Sequence, residues 1–186
     1  MKRKYLIAAF IVTVLIQLSI PIKMIRDSEI TEKEGEEFRF QTVPIDPNDP
    51  FRGKYITLEY TISSFATNDT TFHNGDRIFV KLTTDAEGFA QVESVFHEAP
   101  KDEKNYVIAE VSHSYGGKIH IDFPFERFYM AEGKAGQAEI AYNEYSRKEK
   151  AKPAYALVAV KEGNAVIKDV IIDGLPIKDY VSKNRK

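Results

Sequence analysis

The stretch KYITLEYTIS, residues 54–63, indicates the fold more clearly than any other part of the sequence. Every second residue in it is apolar, which is typical of a strand that buries one face. The alternating apolar residues are Ile56, Leu58, Tyr60 and Ile62. We therefore predict one continuous strand here, with its apolar face in the core of a β-rich domain.

Similar short runs, rich in β-branched and aromatic residues, recur along most of the chain. They are separated by Gly, Asn, Asp and Pro, which favour turns. Seven or eight strands joined by short turns predict an antiparallel barrel or a sandwich-like domain. The other predicted strands are residues 36–45, 77–83, 88–96, 105–115, 118–123, 154–161 and 165–172.

One segment, residues 124–150, interrupts this pattern with helical composition. We predict helical pieces around residues 126–131 and 137–150, the second of which is rich in Ala, Glu and Lys. The fold class is therefore mainly β with minor α.

The N-terminal segment predicts a membrane anchor. Residues 5–22 form an uncharged run of 18 residues between basic flanks. As a helix this run extends roughly 27 Å, close to the roughly 30 Å of a bilayer's hydrocarbon core. No small-x-small cleavage site follows it, so an uncleaved anchor is favoured over a signal peptide or a buried core helix. Gln17 is its one strongly polar side chain: its amide either reaches water near the membrane surface or contacts a partner helix.

The predicted domain organisation follows from this anchor. Residues 1–26 form the anchor, with a cytoplasmic tip at 1–4 and the span at 5–22; residues 27–35 form a stalk or a helix extension; residues 36–186 form the β-rich domain. Three basic residues precede the span and two follow it. This bias places the N-terminus inside and the domain on the extracytoplasmic side.

Charge and cysteine content restrict the partners. All 28 acidic residues lie beyond residue 26, together with 21 of the 26 basic ones, so this part has a net charge of −7. An acidic domain without a basic stripe argues against nucleic acid as a partner. The absence of cysteine excludes a disulfide framework, a thiolate nucleophile and a Cys-ligated zinc. We predict neither a cofactor nor a metal.

Residues 46–60, DPNDPFRGKYITLEY, resemble the signature of the GDYXXLXY family, a set of bacterial membrane-anchored proteins. A second segment, PFERFYMAEGK at residues 124–134, is similar to the family's second motif. The resemblance runs from about residue 5 to Gly174. It implies an inner-membrane protein of uncharacterised activity and a complex with a multi-span membrane protein. The Asp of G-D-Y is replaced by Lys54, so a mechanism that needs that carboxylate is doubtful here.

The first motif supplies most of the candidate contact residues. Gly53 permits a positive φ or a close backbone approach, and Arg52 is placed to pair with Asp46 or Asp49 in the turn. Tyr55 faces away from Leu58 and Tyr60, so at least one tyrosine packs in the core. We consider Asp46, Arg52, Gly53, Tyr55 and Tyr60 as ligand or partner contacts, beside a purely structural role.

The second motif supplies Glu126, Arg127 and Glu132. We expect a short amphipathic turn that docks on the domain, with Glu126 or Arg127 buried against an opposite charge. A catalytic carboxylate pair is the alternative.

Two further pairs of residues are candidates for a metal site and a catalytic dyad. If Gly116-Gly117 is a two-residue hairpin loop, His113 lies directly across from His120. Without a third ligand this is more simply a cross-strand pair than a metal site. Ser28 and Lys54 would be the members of a Ser/Lys dyad, but Ser28 lies in an ordinary polar stalk sequence.

We therefore predict a membrane-anchored extracytoplasmic accessory or interaction domain that partners a multi-span membrane protein. One alternative is an extracytoplasmic hydrolase in which Glu126, Glu132 or Lys54 converge in an open cleft. Another is a small-molecule-binding barrel whose mouth is lined by Tyr55, Tyr60 and Phe128.

Overall fold

The computed structural model of the protein describes residues 2–43, 55–129, 138, 142, 145 and 152–183. A long helix, α1 (Lys2–Glu34), precedes the strands, and a short helix, α2 (Ile177–Lys183), follows them. The strands are β1 (Glu36–Val43), β2 (Tyr55–Thr57), β3 (Glu59–Tyr60), β4 (Ser64–Ala66), β5 (Arg77–Thr84), β6 (Ala90–Phe96), β7 (Tyr106–Tyr115), β8 (Lys118–Asp122), β9 (Arg127–Tyr129), β10 (Tyr155–Lys161), β11 (Asn164–Ile172) and β12 (Leu175–Pro176).

The strands form three antiparallel sheets. The first has the order β12-β11-β10-β1-β3, the second β4-β8-β7-β5-β6, and β2 pairs with β9 alone. The two larger sheets are joined where the β10–β11 turn meets β7: Gly163 donates to the Tyr106 carbonyl and accepts from the Ile108 amide, both at 3.0 Å. The result is a domain of antiparallel sheets, one of them nearly closed and barrel-like, as the sequence predicts.

A single hydrophobic core lies between the sheets. Inward residues alternate along each long strand, for example Phe38 and Phe40 on β1 and Ile78 and Val80 on β5, and all four are at most 2% exposed. They belong to one contiguous cluster with the apolar residues of β7, β8, β10 and β11. The alternation of apolar side chains is therefore what closes the two sheets on each other.

Helix α1 continues without interruption into the domain. Its last turns contact β10 and β11, and Ala159, which points away from the core, is fully buried there. Thr31 is 1% exposed, and Lys161 forms an ion pair with Glu34. The sequence left residues 27–35 as a stalk or a helix extension; the structure shows that the helix extends to Glu34.

Gly35 makes the junction between α1 and β1 possible. Its amide donates to the Thr31 carbonyl at 2.9 Å. A Cβ at this position would lie 2.4 Å from that carbonyl oxygen and 3.0 Å from the Val160 backbone. Only glycine fits, because the helix end and β10 are so close together.

Several predicted elements are confirmed with small shifts, and two are wrong. The strand predicted over residues 54–63 is split, because β2 pairs with β9 whereas β3 pairs with β1. The helix predicted around residues 126–131 is contradicted by strand β9 over its described part. Ala138, Tyr142 and Tyr145 are helical and buried, and the rest of the helix predicted at 137–150 lies outside the described residues.

Candidate functional site

The two motif segments lie side by side. Strand β2 of the first motif pairs antiparallel with β9 of the second, in the register Tyr55↔Tyr129, Ile56↔Phe128 and Thr57↔Arg127. The contact continues past the strand, since the Leu58 amide donates to the Glu126 carbonyl at 2.8 Å. Segments about 70 residues apart in sequence thus form one surface.

The C-terminal half of the first motif is structural. Leu58 is 1% and Tyr60 3% exposed, and the Tyr60 hydroxyl donates to the Phe125 carbonyl at 2.7 Å. Burial raises the pKa of Tyr60 well above its ordinary value, so the hydroxyl remains a donor at neutral pH. Tyr60 therefore ties the two motifs together from inside the core.

Aromatic rings fill the interior beneath this junction. Phe40 packs edge-on against Tyr60, Phe123 and Phe125, with centroid distances of 5.3, 5.6 and 4.9 Å. Such edge-to-face pairs add to the stabilisation from buried area. Phe128 is buried as well, at 6% exposure. Of the three residues considered for a barrel mouth, only Tyr55 thus remains partly exposed.

The outward face of β2 and β9 carries a small surface of exposed side chains. The Tyr55 and Tyr129 rings lie 5.5 Å apart, and the Arg127 guanidinium lies 5.1 Å above the Tyr55 ring. Tyr129 is 65% exposed. We call Tyr55, Arg127 and Tyr129 the motif platform. Tyrosine and arginine are enriched at protein interfaces, because they combine large contact area with hydrogen-bonding groups.

A group of carboxylates borders the motif platform. The pKa of Glu126 is raised above its ordinary value, chiefly by partial desolvation of its carboxyl group, then by the negative charges of Asp122 and Glu59, against the opposing charge of Arg127. Glu126 and Arg127 are nevertheless exposed and form no ion pair within the described part of the chain. The expectation of a buried ion pair at one of them is therefore wrong: Arg127 stacks on Tyr55 instead.

The structure does not describe most of the other predicted site residues. Asp46, Asp49, Arg52, Gly53 and Lys54 lie outside the described residues, and so does Glu132. Contacts predicted for them stay predictions, as does a convergence of Glu126 with Glu132 or Lys54. Ser28 is exposed within α1, and its predicted dyad partner is one of these undescribed residues.

His113 and His120 pair across the β7–β8 hairpin, as predicted. His113 lies opposite His120 in the β7–β8 register, and Tyr115 lies opposite Lys118. The two imidazole rings stack 4.8 Å apart at an angle of 14°. In the described residues no group of three or more His, Asp or Glu side chains is arranged to hold a metal ion.

Two members of the surface were missed from the sequence. The sequence predicts an amphipathic turn where Tyr129 lies, and Asp122 falls inside the predicted strand 118–123 without being among the candidate residues. Three residues, Arg127 to Tyr129, are too few for their pattern to distinguish a strand from a helical turn, so the outward position of Tyr129 was not predictable from it.

The apolar part of α1 is not buried by the rest of the described structure. Residues Arg3–Glu34 contain an 18-residue window with mean hydropathy 2.3, none of it buried. This excludes the core-helix alternative and fits a membrane anchor by length and composition, a test that a signal sequence also passes. Gln17 is exposed in this helix, and Pro21 lies within it.

The fold and the site together define a β-domain protein with one exposed apolar helix at its N-terminus. Within this class, the chain belongs to the GDYXXLXY family, whose model, described as GDYXXLXY protein, matches residues 17–170. That match includes the end of the apolar helix and both motif segments. Neither the search of curated proteins nor that of solved structures found a match.

Proposed function

We propose that this protein is a membrane-anchored accessory or interaction protein, with α1 crossing the inner membrane once and the β-domain on the extracytoplasmic side. Its partner is a multi-span membrane protein. The exposed apolar surface of α1 supports the membrane position, because more than ten large apolar side chains would otherwise lie in water.

Two surfaces are available for the partner. In the span, Gln17 offers an amide that is best satisfied by another helix, because lipid provides no hydrogen-bonding group. On the domain, the motif platform offers two tyrosines and an arginine. An enzymatic role for the same region, through the carboxylates near Glu126, is less well supported, because the nearest exposed groups are a stacked arginine and tyrosines rather than a nucleophile and its base.

The direct test is purification of the full chain from membranes in mild detergent. We expect a multi-span protein to copurify, and Tyr129→Ala to reduce its recovery about 30-fold if Tyr129 is a hot spot worth about 2 kcal/mol. Tyr115→Ala is the matched control, since Tyr115 is an 87% exposed tyrosine on the β7–β8 hairpin. Recovery of the chain alone, or equal losses for both variants, would contradict the proposal.

Gln17→Leu tests the contribution of the helix separately. We expect this variant to remain in the membrane fraction and to copurify less partner, because the span becomes more apolar while one hydrogen-bonding group is lost. Retention of the wild-type amount of partner would remove Gln17 from the interface.

The orientation can be tested because the chain contains no cysteine. A single cysteine introduced as Tyr115→Cys should react with an impermeant maleimide added outside intact cells. One introduced as Lys4→Cys should react only after lysis. The reverse pattern would place the domain in the cytoplasm.

A further inference from the structure

The sequence contains one Asn-Gly dipeptide, Asn74-Gly75, in the connection that leads from β4 to β5. The dipeptide forms the two central positions of a tight turn, in which the Asp76 amide donates to the His73 carbonyl at 3.1 Å. Gly75 has a φ of 84°, as the third residue of a type II turn requires. Asn74 and Gly75 are both exposed. The turn therefore presents an Asn-Gly bond to water.

An Asn-Gly bond in water can lose its side-chain amide without an enzyme. The Gly75 backbone nitrogen gives up its proton and attacks Cγ of Asn74, which forms a five-membered cyclic imide. The bond between Cγ and Nδ2 breaks, and ammonia leaves. Water then opens the imide at one of its two carbonyl carbons, which leaves aspartate or isoaspartate at position 74. Glycine favours the ring closure because it has no Cβ to obstruct the attack.

The fold engages both reacting groups in hydrogen bonds with β7. The Gly75 amide donates to the Val111 carbonyl at 2.8 Å, and Oδ1 of Asn74 accepts from the Ser114 amide at 3.2 Å. The Gly75 nitrogen cannot attack while its proton is shared with Val111, so this hydrogen bond must break first. The reaction in the folded chain is therefore restricted to the time during which the turn is open.

Opening of this turn requires few contacts to break. Besides the bonds to β7, the His73 amide donates to Oδ2 of Asp76 at 2.7 Å, and the Asp76 carbonyl accepts from the Val111 amide at 2.9 Å. Asn74 and Gly75 are not part of the hydrophobic core. Exposed turns of this kind open at a much lower free-energy cost than the whole domain unfolds. The turn is therefore open more often than the domain is unfolded.

We propose that Asn74 is a site of spontaneous deamidation in the native protein, and that the bonds between its turn and β7 set the rate. The aspartate product keeps the turn, because its carboxylate still accepts from the Ser114 amide. The isoaspartate product adds one methylene group to the main chain before the Gly75 nitrogen. That amide then no longer matches the Val111 carbonyl, and the entry into the β5–β7 ladder is loosened.

The test is peptide mapping by mass spectrometry of the full chain, aged in mild detergent at mildly alkaline pH, beside the same chain aged in urea. We expect Asn74 to deamidate about tenfold more slowly in the folded chain than in urea, because only the open fraction reacts. Asn68 is the internal control, since it is exposed in the same connection but is followed by Asp69. In urea it should deamidate more slowly than Asn74.

Two variants test whether the turn controls the rate. Asp76→Ala removes the acceptor of the His73 amide and should raise the folded rate severalfold, measured relative to the rate of the same variant in urea. Asp69→Ala is the matched control, because Asp69 accepts from the Thr71 amide at 2.9 Å in the same connection but outside the turn. It should leave the ratio of the two rates unchanged. The wild-type comparison between folded chain and urea does not depend on either variant.

Each part of the inference has a result that would overturn it. A rate for Asn74 in urea no greater than that of Asn68 would remove the site itself. Equal rates in the folded chain and in urea would show that β7 does not protect it, whereas an Asn74 that stays intact in the folded chain would show that the turn does not open. An unchanged ratio in Asp76→Ala would end the role of the turn. None of these results depends on the proposed membrane position or on a partner.

Discussion

Replacing Tyr60 by Phe removes a hydrogen bond by which a side chain of the first motif holds the second motif from inside the core. The hydroxyl donates to the Phe125 carbonyl at 2.7 Å, and its residue is 3% exposed. The variant loses that bond and leaves a buried carbonyl without it, which costs about 1–2 kcal/mol. For a chain of this length, each kcal/mol lowers Tm by about 2–4 °C. We therefore expect Tm to fall by about 2–8 °C.

The measurement is thermal unfolding of the full chain in detergent, followed by near-ultraviolet circular dichroism of the tyrosines, because the chain contains no tryptophan. Tyr129→Phe is the matched control: it removes a hydroxyl from the other motif at a 65% exposed position and should change stability by less than about 0.5 kcal/mol. If the two variants unfold at the same temperature, Tyr60 does not link the motifs as argued.

Two further variants test the junction and the carboxylates. Gly35→Ala should destabilise the chain by about 1–3 kcal/mol, because its Cβ would meet the Thr31 carbonyl at 2.4 Å; a wild-type Tm would show that the helix end can move away. Glu126→Gln should raise Tm at pH 7 and have little effect near pH 4. Partial desolvation raises the pKa of Glu126, so the folded state retains that proton to higher pH than the unfolded state, and stability is lost as pH rises through the folded pKa. A lower Tm for Glu126→Gln at pH 7 would contradict this.

The alternation in residues 54–63 predicted burial correctly but pairing incorrectly. Ile56, Leu58, Tyr60 and Ile62 are all at most 6% exposed, as the period-two pattern requires. The break between β2 and β3 depends on partners about 70 residues ahead and about 20 residues behind in the sequence. Local alternation contains no information on which strand lies alongside, so the change of partner was not predictable from it.

Local geometry explains the predictions that succeeded. The pairing of His113 with His120 followed from the two-residue turn at Gly116-Gly117, because such a turn fixes the register of both strands. A register shift occurs only beyond this pair, between Val111 and His113. Strand β9 shows the opposite case. Its three residues are too short to distinguish a strand from a helical turn, and their strand conformation depends on pairing with β2.

The candidate site was predicted in part. Tyr55, Glu126 and Arg127 were considered as contact residues from the sequence, and the structure places all three where the two motif segments pair. The stacking of Arg127 on Tyr55 did not follow, because it requires the register Thr57↔Arg127, which puts the guanidinium diagonally across from the ring. The same register shows that the motif has two roles: Leu58 and Tyr60 build the core, and Tyr55 remains at the surface.

The continuous helix makes the relative orientation of the two proposed contact surfaces testable. Gln17 and the β-domain are connected by unbroken α-helix, whose end is fixed by buried Thr31 and by the ion pair between Glu34 and Lys161. A rotation of the helix at the membrane is therefore passed to the domain. Two alanines inserted after Ser28 would rotate the domain by about 200° relative to Gln17, whereas four would rotate it by about 40°.

If the partner uses both surfaces, the two-residue insertion should abolish copurification and the four-residue insertion should largely retain it, although the latter moves the domain farther along the helix axis. Both variants keep the span and the junction intact, so membrane recovery and Tm should match those of the wild-type chain. Equal recovery of partner with both insertions would mean that only one of the two surfaces is in contact, because a rigid helix cannot satisfy both surfaces at two different rotations.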